Sequence, residues 1–131
     1  MEQSPAGAVC DFPVSIDSAE LTAFTTTHVD AAGNLRWIFG GGRNVVRVTN
    51  DATGASLDVN ASGPGKITFD PDGTLRITGG GPWLGAFLPG DSPSSALLLT
   101  TGRLVVTIDP TGEVTLVSIS GATRDLCTEL A

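Results

Sequence analysis

The chain has no tyrosine, one histidine and two cysteines among 131 residues, and each scarcity removes a class of explanation. A lone His28 cannot assemble a histidine zinc site. Cys10 and Cys127, 117 positions apart, form neither a zinc-ligand pair nor a Cys-x-x-Cys redox motif. Basic residues are also few, with Lys+Arg 7 against Asp+Glu 14 and a net charge of −7, so the basic patch that nucleic acid or an anionic membrane surface requires is missing. Long apolar runs are absent. The stretch Ala96-Leu97-Leu98-Leu99 falls far short of the roughly 20 residues of a spanning helix. With two Trp and five Phe there are too few aromatics for the girdles of an outer-membrane barrel.

What is abundant is punctuation. The signal Asp-x-x-Gly occurs at 30–33, 51–54, 70–73 and 109–112, between stretches rich in β-branched and apolar residues. Asp opens a type I turn by bonding its own backbone, and Gly takes the left-handed conformation that closes the hairpin. A second series, Gly40-Gly41-Gly42, Ser62-Gly63-Pro64-Gly65, Gly79-Gly80-Gly81-Pro82, Thr101-Gly102 and Ser120-Gly121, falls between the first. Candidate strands are 12–16, 21–29, 35–39, 45–49, 56–61, 67–69, 75–78, 83–88, 97–108 and 114–119. Gly40–Gly42 and Gly102 can also be bends inside longer strands. Period-two alternation marks half-buried strands, as where Leu57, Val59 and Ala61 oppose Asp58 and Asn60. The expected fold is all-β: an antiparallel up-and-down meander closed into a barrel of about eight to ten strands, because closure removes exposed edges. A two-sheet β-sandwich is the alternative. The tail around Cys127 is expected to form a short turn of helix.

At this length the chain is one domain. Residues 1–9 read as a flexible N-terminal segment, and 10–131 as a single β-barrel domain whose termini are joined by a Cys10–Cys127 disulfide. The competing reading is two separate buried thiols. A disulfide places the protein outside the reducing cytosol. The opening residues lack a signal-peptide pattern and read as the start of a mature secreted chain with Met added.

Val9-Cys10-Asp11-Phe12-Pro13-Val14, Ser62-Gly63-Pro64-Gly65, the stretch from Trp83 to Pro89-Gly90-Asp91, Leu97-Leu98-Leu99-Thr100-Thr101-Gly102-Arg103 and Asp125-Leu126-Cys127 together resemble small secreted proteins of actinobacteria. That resemblance implies secretion and a β-rich fold, and it carries no catalytic residues. In architecture alone, the expected barrel is similar to allene-oxide-cyclase-like and lipocalin-like barrels, which enclose apolar ligands.

No nucleophile elbow, phosphate loop or completed calcium loop is present, and no cofactor or metal is expected. Asp30, Asp51, Asp70, Asp72, Asp91 and Asp109 are expected to gather at one rim, with Arg36 and Arg76 pairing to them. The stretch from Pro82 to Pro89 is apolar on both faces: either a doubly buried strand, or a wall in which Trp83 and Phe87 line a cavity with 88–95 as its lip. Trp37 is the second aromatic assigned to such a cavity. Arg47, in mid-strand, either points outward or anchors an anionic ligand group inside. The expected function is a secreted, non-catalytic protein that binds a small apolar molecule or an extracellular partner, without nucleic acid or membrane insertion. The alternatives are a cyclase or isomerase using His28 and Arg47, and a structural or inhibitory protein acting through 88–95.

Overall fold

A computed structural model describes residues 2–131. Along the chain lie β1 (Glu2–Ser4), β2 (Val14–Val29), β3 (Leu35–Asn50), β4 (Ser56–Asn60), β5 (Gly65–Phe69) and β6 (Leu75–Gly80). They are followed by β7 (Trp83–Phe87), β8 (Ala96–Thr100), β9 (Arg103–Ile108), β10 (Val114–Ile119), β11 (Thr123–Asp125) and the helix α1 (Leu126–Leu130). All named strand pairs are antiparallel. The larger sheet runs β1-β2-β3-β5-β6-β9-β10, with β4 also on β3, and the smaller runs β11-β8-β7. No helix of the described residues is long and apolar enough to cross a membrane.

Three of the Asp-x-x-Gly signals form their turns as local chemistry dictates. The Asp30 carboxylate accepts from the Ala32 and Asn34 amides, both at 2.9 Å, and the Gly33 amide donates to the Asp30 carbonyl. Asp72 accepts from the Thr74 amide, and Asp109 from the amides of Thr111 and Glu113. Gly33, Gly73 and Gly112 take positive φ, the conformation that an L side chain resists. These turns lie side by side at one end of the larger sheet, and Arg36 and Arg76 stand 3.9 Å from Asp30 and Asp70. Asp91 joins that rim, where its carboxylate accepts from the Leu88 and Val114 amides.

Asp51 does not join it. β3 carries the chain to the opposite end before that turn, and there Asn50 does the turn's work: its Oδ1 accepts from the Ala52 amide, and its carbonyl from the Gly54 amide. Asp51 instead accepts from the Ser15 hydroxyl at 2.6 Å.

The turn hydrogen bonds have a pH consequence. Donors hold the carboxyl groups of Asp30 (chiefly the Asn34 amide), Asp72 (chiefly the Thr74 amide) and Asp109 (chiefly the Thr111 side chain) below the ordinary aspartate value. A carboxyl whose folded pKa is depressed contributes stability above its unfolded value and loses it as pH falls through the folded one. The thermal midpoint is therefore expected to drop as pH is lowered below about 4, an unfolding scan at pH 3 against pH 6 being the check.

The expected barrel does not close. β3 is one long strand that continues through Gly40–Gly42, and it gives its second half to β4 and its first half to β5. After β6 the chain leaves the sheet: the Gly81 amide donates to the Gly102 carbonyl, and a β-carbon at Gly81 would overlap Thr101. β7 and β8 then pair with each other, and β9 returns to pair with β6. The expected strand 97–108 is thus two strands in two sheets. β1/β2 and β10 remain as separate edges, and the arrangement is the sandwich-like alternative.

The core lies where the two sheets overlap. Val14, Val46, Val48 and Val59 of the larger sheet pack against Leu97 and Leu99 of β8, Leu126 and Leu130 of α1, and Val9 and Cys10 from the segment before β2. A Cys10–Cys127 disulfide, with Cα atoms 5.4 Å apart, ties that segment to the helix. Asp125 caps α1 by accepting from the Thr128 amide. The buried Asn50 amide donates to the Leu130 carbonyl at 2.8 Å, fixing the other end of the helix to β3.

Candidate functional site

Beyond this overlap the sheets diverge and leave an open cleft of about 460 Å³. Period-two alternation supplies its wall from the larger sheet: Ile16 from β2, Ile38 and Val46 from β3, and Ile67 from β5. β7 supplies Trp83, Leu84 and Ala86. Among the described residues of the lining, Glu2 is the one that is charged, and Thr25 and Asn44 carry the other polar side chains.

Trp83 is held by what is missing opposite it. A β-carbon at Gly65 would overlap the indole, and those at Gly63 and Gly79 would crowd it. Gly65 and Gly79, at the ends of β5 and β6, and Gly63 in the connection before β5 therefore form a shallow bed for the ring, and its Nε1 donates to the Pro64 carbonyl at 3.2 Å. The indole thus joins the two sheets and forms one side of the cleft. Gly65→Val is expected to expel the ring from this bed. A red-shifted Trp83 emission, measured in a Trp37→Phe background, would report it, whereas unchanged emission would contradict the packing.

Asn44 carries the second notable feature. Its backbone is satisfied, since its amide donates to the Ser62 hydroxyl and its carbonyl accepts from the Ala61 amide. Its side-chain Oδ1, in contrast, is buried without a hydrogen-bond partner. A buried acceptor left unpaired costs about 1–3 kcal/mol, so such an atom in a cleft wall is a place where a donor would be gained.

Of the four residues assigned to a ligand cavity from the sequence, only Trp83 reaches this cleft. Phe87 is 4% exposed but lies on the face of β7 opposite Leu84 and Ala86, with its ring against Gly85. Trp37 alternates with Ile38 and points to the other side of the larger sheet. There it stacks on His28, with centroids 5.3 Å apart, and Lys66 Nζ lies 5.0 Å over its ring. Arg47 is turned outward between the buried Val46 and Val48. It forms a two-bond pair with Asp58, at 2.8 and 3.0 Å, which lowers the Asp58 pKa. His28 and Arg47 are therefore not brought together in any cavity. Among the described residues, no three His, Cys, Asp or Glu side chains group as metal ligands.

Comparison with known proteins adds no identity: no family model matches the chain, and no curated protein or solved structure matches it significantly.

Proposed function

We propose that this is a non-catalytic binding protein whose inter-sheet cleft takes a small apolar molecule bearing one hydrogen-bond donor. The observation that carries the reading is the pairing of an apolar lining with the unpartnered Asn44 Oδ1. A volume of about 460 Å³ falls in the range of small-molecule sites, which are mostly apolar with a few polar groups that fix orientation. A ligand hydroxyl that reaches the Asn44 Oδ1 would give it the hydrogen bond it lacks. Among the described residues the lining offers no nucleophile–base pair, which favours binding over turnover. The Cys10–Cys127 disulfide supports a working place outside the reducing cytosol, as a secreted protein.

The test is a fluorescence titration of the Trp37→Phe variant with 1-decanol, decane and decanoate. Decanol should change Trp83 emission saturably and bind more tightly than decane, while decanoate, a charged acceptor, should bind worst. Asn44→Leu is expected to erase most of the preference for decanol over decane, a loss of roughly five- to tenfold for one hydrogen bond of about 1 kcal/mol. Absence of saturable change with any of the three would overturn the reading.

A further inference from the structure

We infer that β2 is a self-association edge, and that two copies of the chain pair their β2 strands antiparallel about a two-fold axis at Phe24, joining their larger sheets into one. β1 covers residues 14–16 of β2, and among the described residues no strand covers the outer edge of 18–29. Native edges are usually guarded by Lys, Pro, bulges or shortness; this one has neither residue, is long, and runs in unbroken register with β3 from 20 to 28. It also exposes Leu21 at 59%, Phe24 at 55% and Val29 at 51%. Thr25 belongs both to this stretch and to the cleft lining, but the inference does not rest on the cleft proposal.

The register comes from two independent features. First, the pairing of β2 with β3 is interrupted between Ser18 and Glu20 and again between His28 and Val29. The regular stretch is therefore 20–28, and its midpoint is Phe24. Second, an antiparallel two-fold pair about Phe24 sets Glu20 opposite His28 of the second copy, once on each side of the axis. An imidazole N–H donates to a carboxylate in either of its protonation states. Phe24 then meets Phe24, Thr22 meets Thr26, and Leu21 meets Thr27, pairs of the kind that stabilise neighbouring strands. A two-fold axis of this type permits shifts only in steps that keep each side chain on its face. The nearest alternatives place Glu20 opposite Thr26, a short neutral hydroxyl in place of the longer imidazole, or opposite Asp30, a like charge. The stretch is about 30 Å long and would exchange roughly eight to ten backbone hydrogen bonds. Glu20 already holds Arg43 at 2.7 Å, so its carboxylate is presented on the sheet face where His28 of the second copy would arrive.

Sedimentation of the wild-type chain, from micromolar to millimolar, should show a monomer–dimer equilibrium. Glu20→Lys should weaken association tenfold or more, and adding His28→Glu should restore it, with unchanged circular dichroism as the check on folding. Air-oxidised Phe24→Cys should yield a disulfide-linked dimer, because residues paired on the axis lie within bridging distance. Leu21→Cys should not, since its two copies would stand about 20 Å apart. A wild-type chain that stays monomeric throughout, or equal cross-linking of the two cysteine variants, would overturn the inference.

Discussion

Reduction of the Cys10–Cys127 bond is expected to lower the unfolding free energy by about 5 kcal/mol, the chain-entropy value for a loop of 117 residues. A domain of this size typically has only 5–15 kcal/mol in all, so the reduced chain should unfold near or below physiological temperature. The bond fixes the segment before β2 to α1, and both partners belong to or pack on the core. Urea unfolding with and without reductant measures the effect. The double variant Cys10→Ala/Cys127→Ala should be at least as unstable, because it also removes sulfur volume from the core. An unchanged midpoint on reduction would mean that the terminal segments hold their places by packing alone.

Leu97→Ala should cost about 2–5 kcal/mol, the range for a leucine removed from a packed interior. Leu97 is completely buried, at the centre of the β8 surface that meets Val46, Val48, Leu126 and Leu130. Little can move in to refill the space, since the neighbours are held on one side by the sheet and on the other by the disulfide-bound helix. Leu21→Ala is the internal control: its side chain is 59% exposed, and its loss should change monomer stability by less than about 0.5 kcal/mol. Chemical denaturation of the two variants at equal dilution separates them. Similar midpoints would show that the core is not where the sheets overlap.

These effects depend on packing that is only partly written in the local sequence. The turns at Asp30, Asp70 and Asp109 were legible because one side chain, its own backbone and a nearby glycine complete each of them. The turn after β3 was misread by one residue, since Asn50 and Asp51 offer the same local chemistry and only the distant Ser15 and Leu130 decide between them. Barrel closure was the larger error. Turn spacing counts strands, but it does not say which ones pair, and the non-consecutive β3–β5 and β6–β9 pairings are set by contacts across the fold.

The site shows the same division. Parity along β7 separates Leu84 and Ala86 from Phe87, but it sets Trp83 with Phe87, and only the first position of the strand lets the indole reach the cleft. Arg47 was readable as outward from Val46 and Val48 on either side. Nothing local, however, joins Trp83 to Gly63, Gly65 and Gly79, or marks Asn44 as the residue with an unsatisfied oxygen. Both depend on where strands far apart in sequence come to lie. The disulfide was legible for a different reason: with two cysteines there was only one possible intramolecular pair.

The central claim is that two open sheets meet at a buried core and are joined again at the Trp83 ring, with an apolar cleft between. A nuclear Overhauser spectrum of the indole protons tests it most directly. The account predicts strong cross-peaks from Trp83 to the α-protons of Gly65 and Gly79, with those protons shifted by the ring current. An indole with no cross-peaks to either glycine would contradict the joining of the sheets, and with it the cleft.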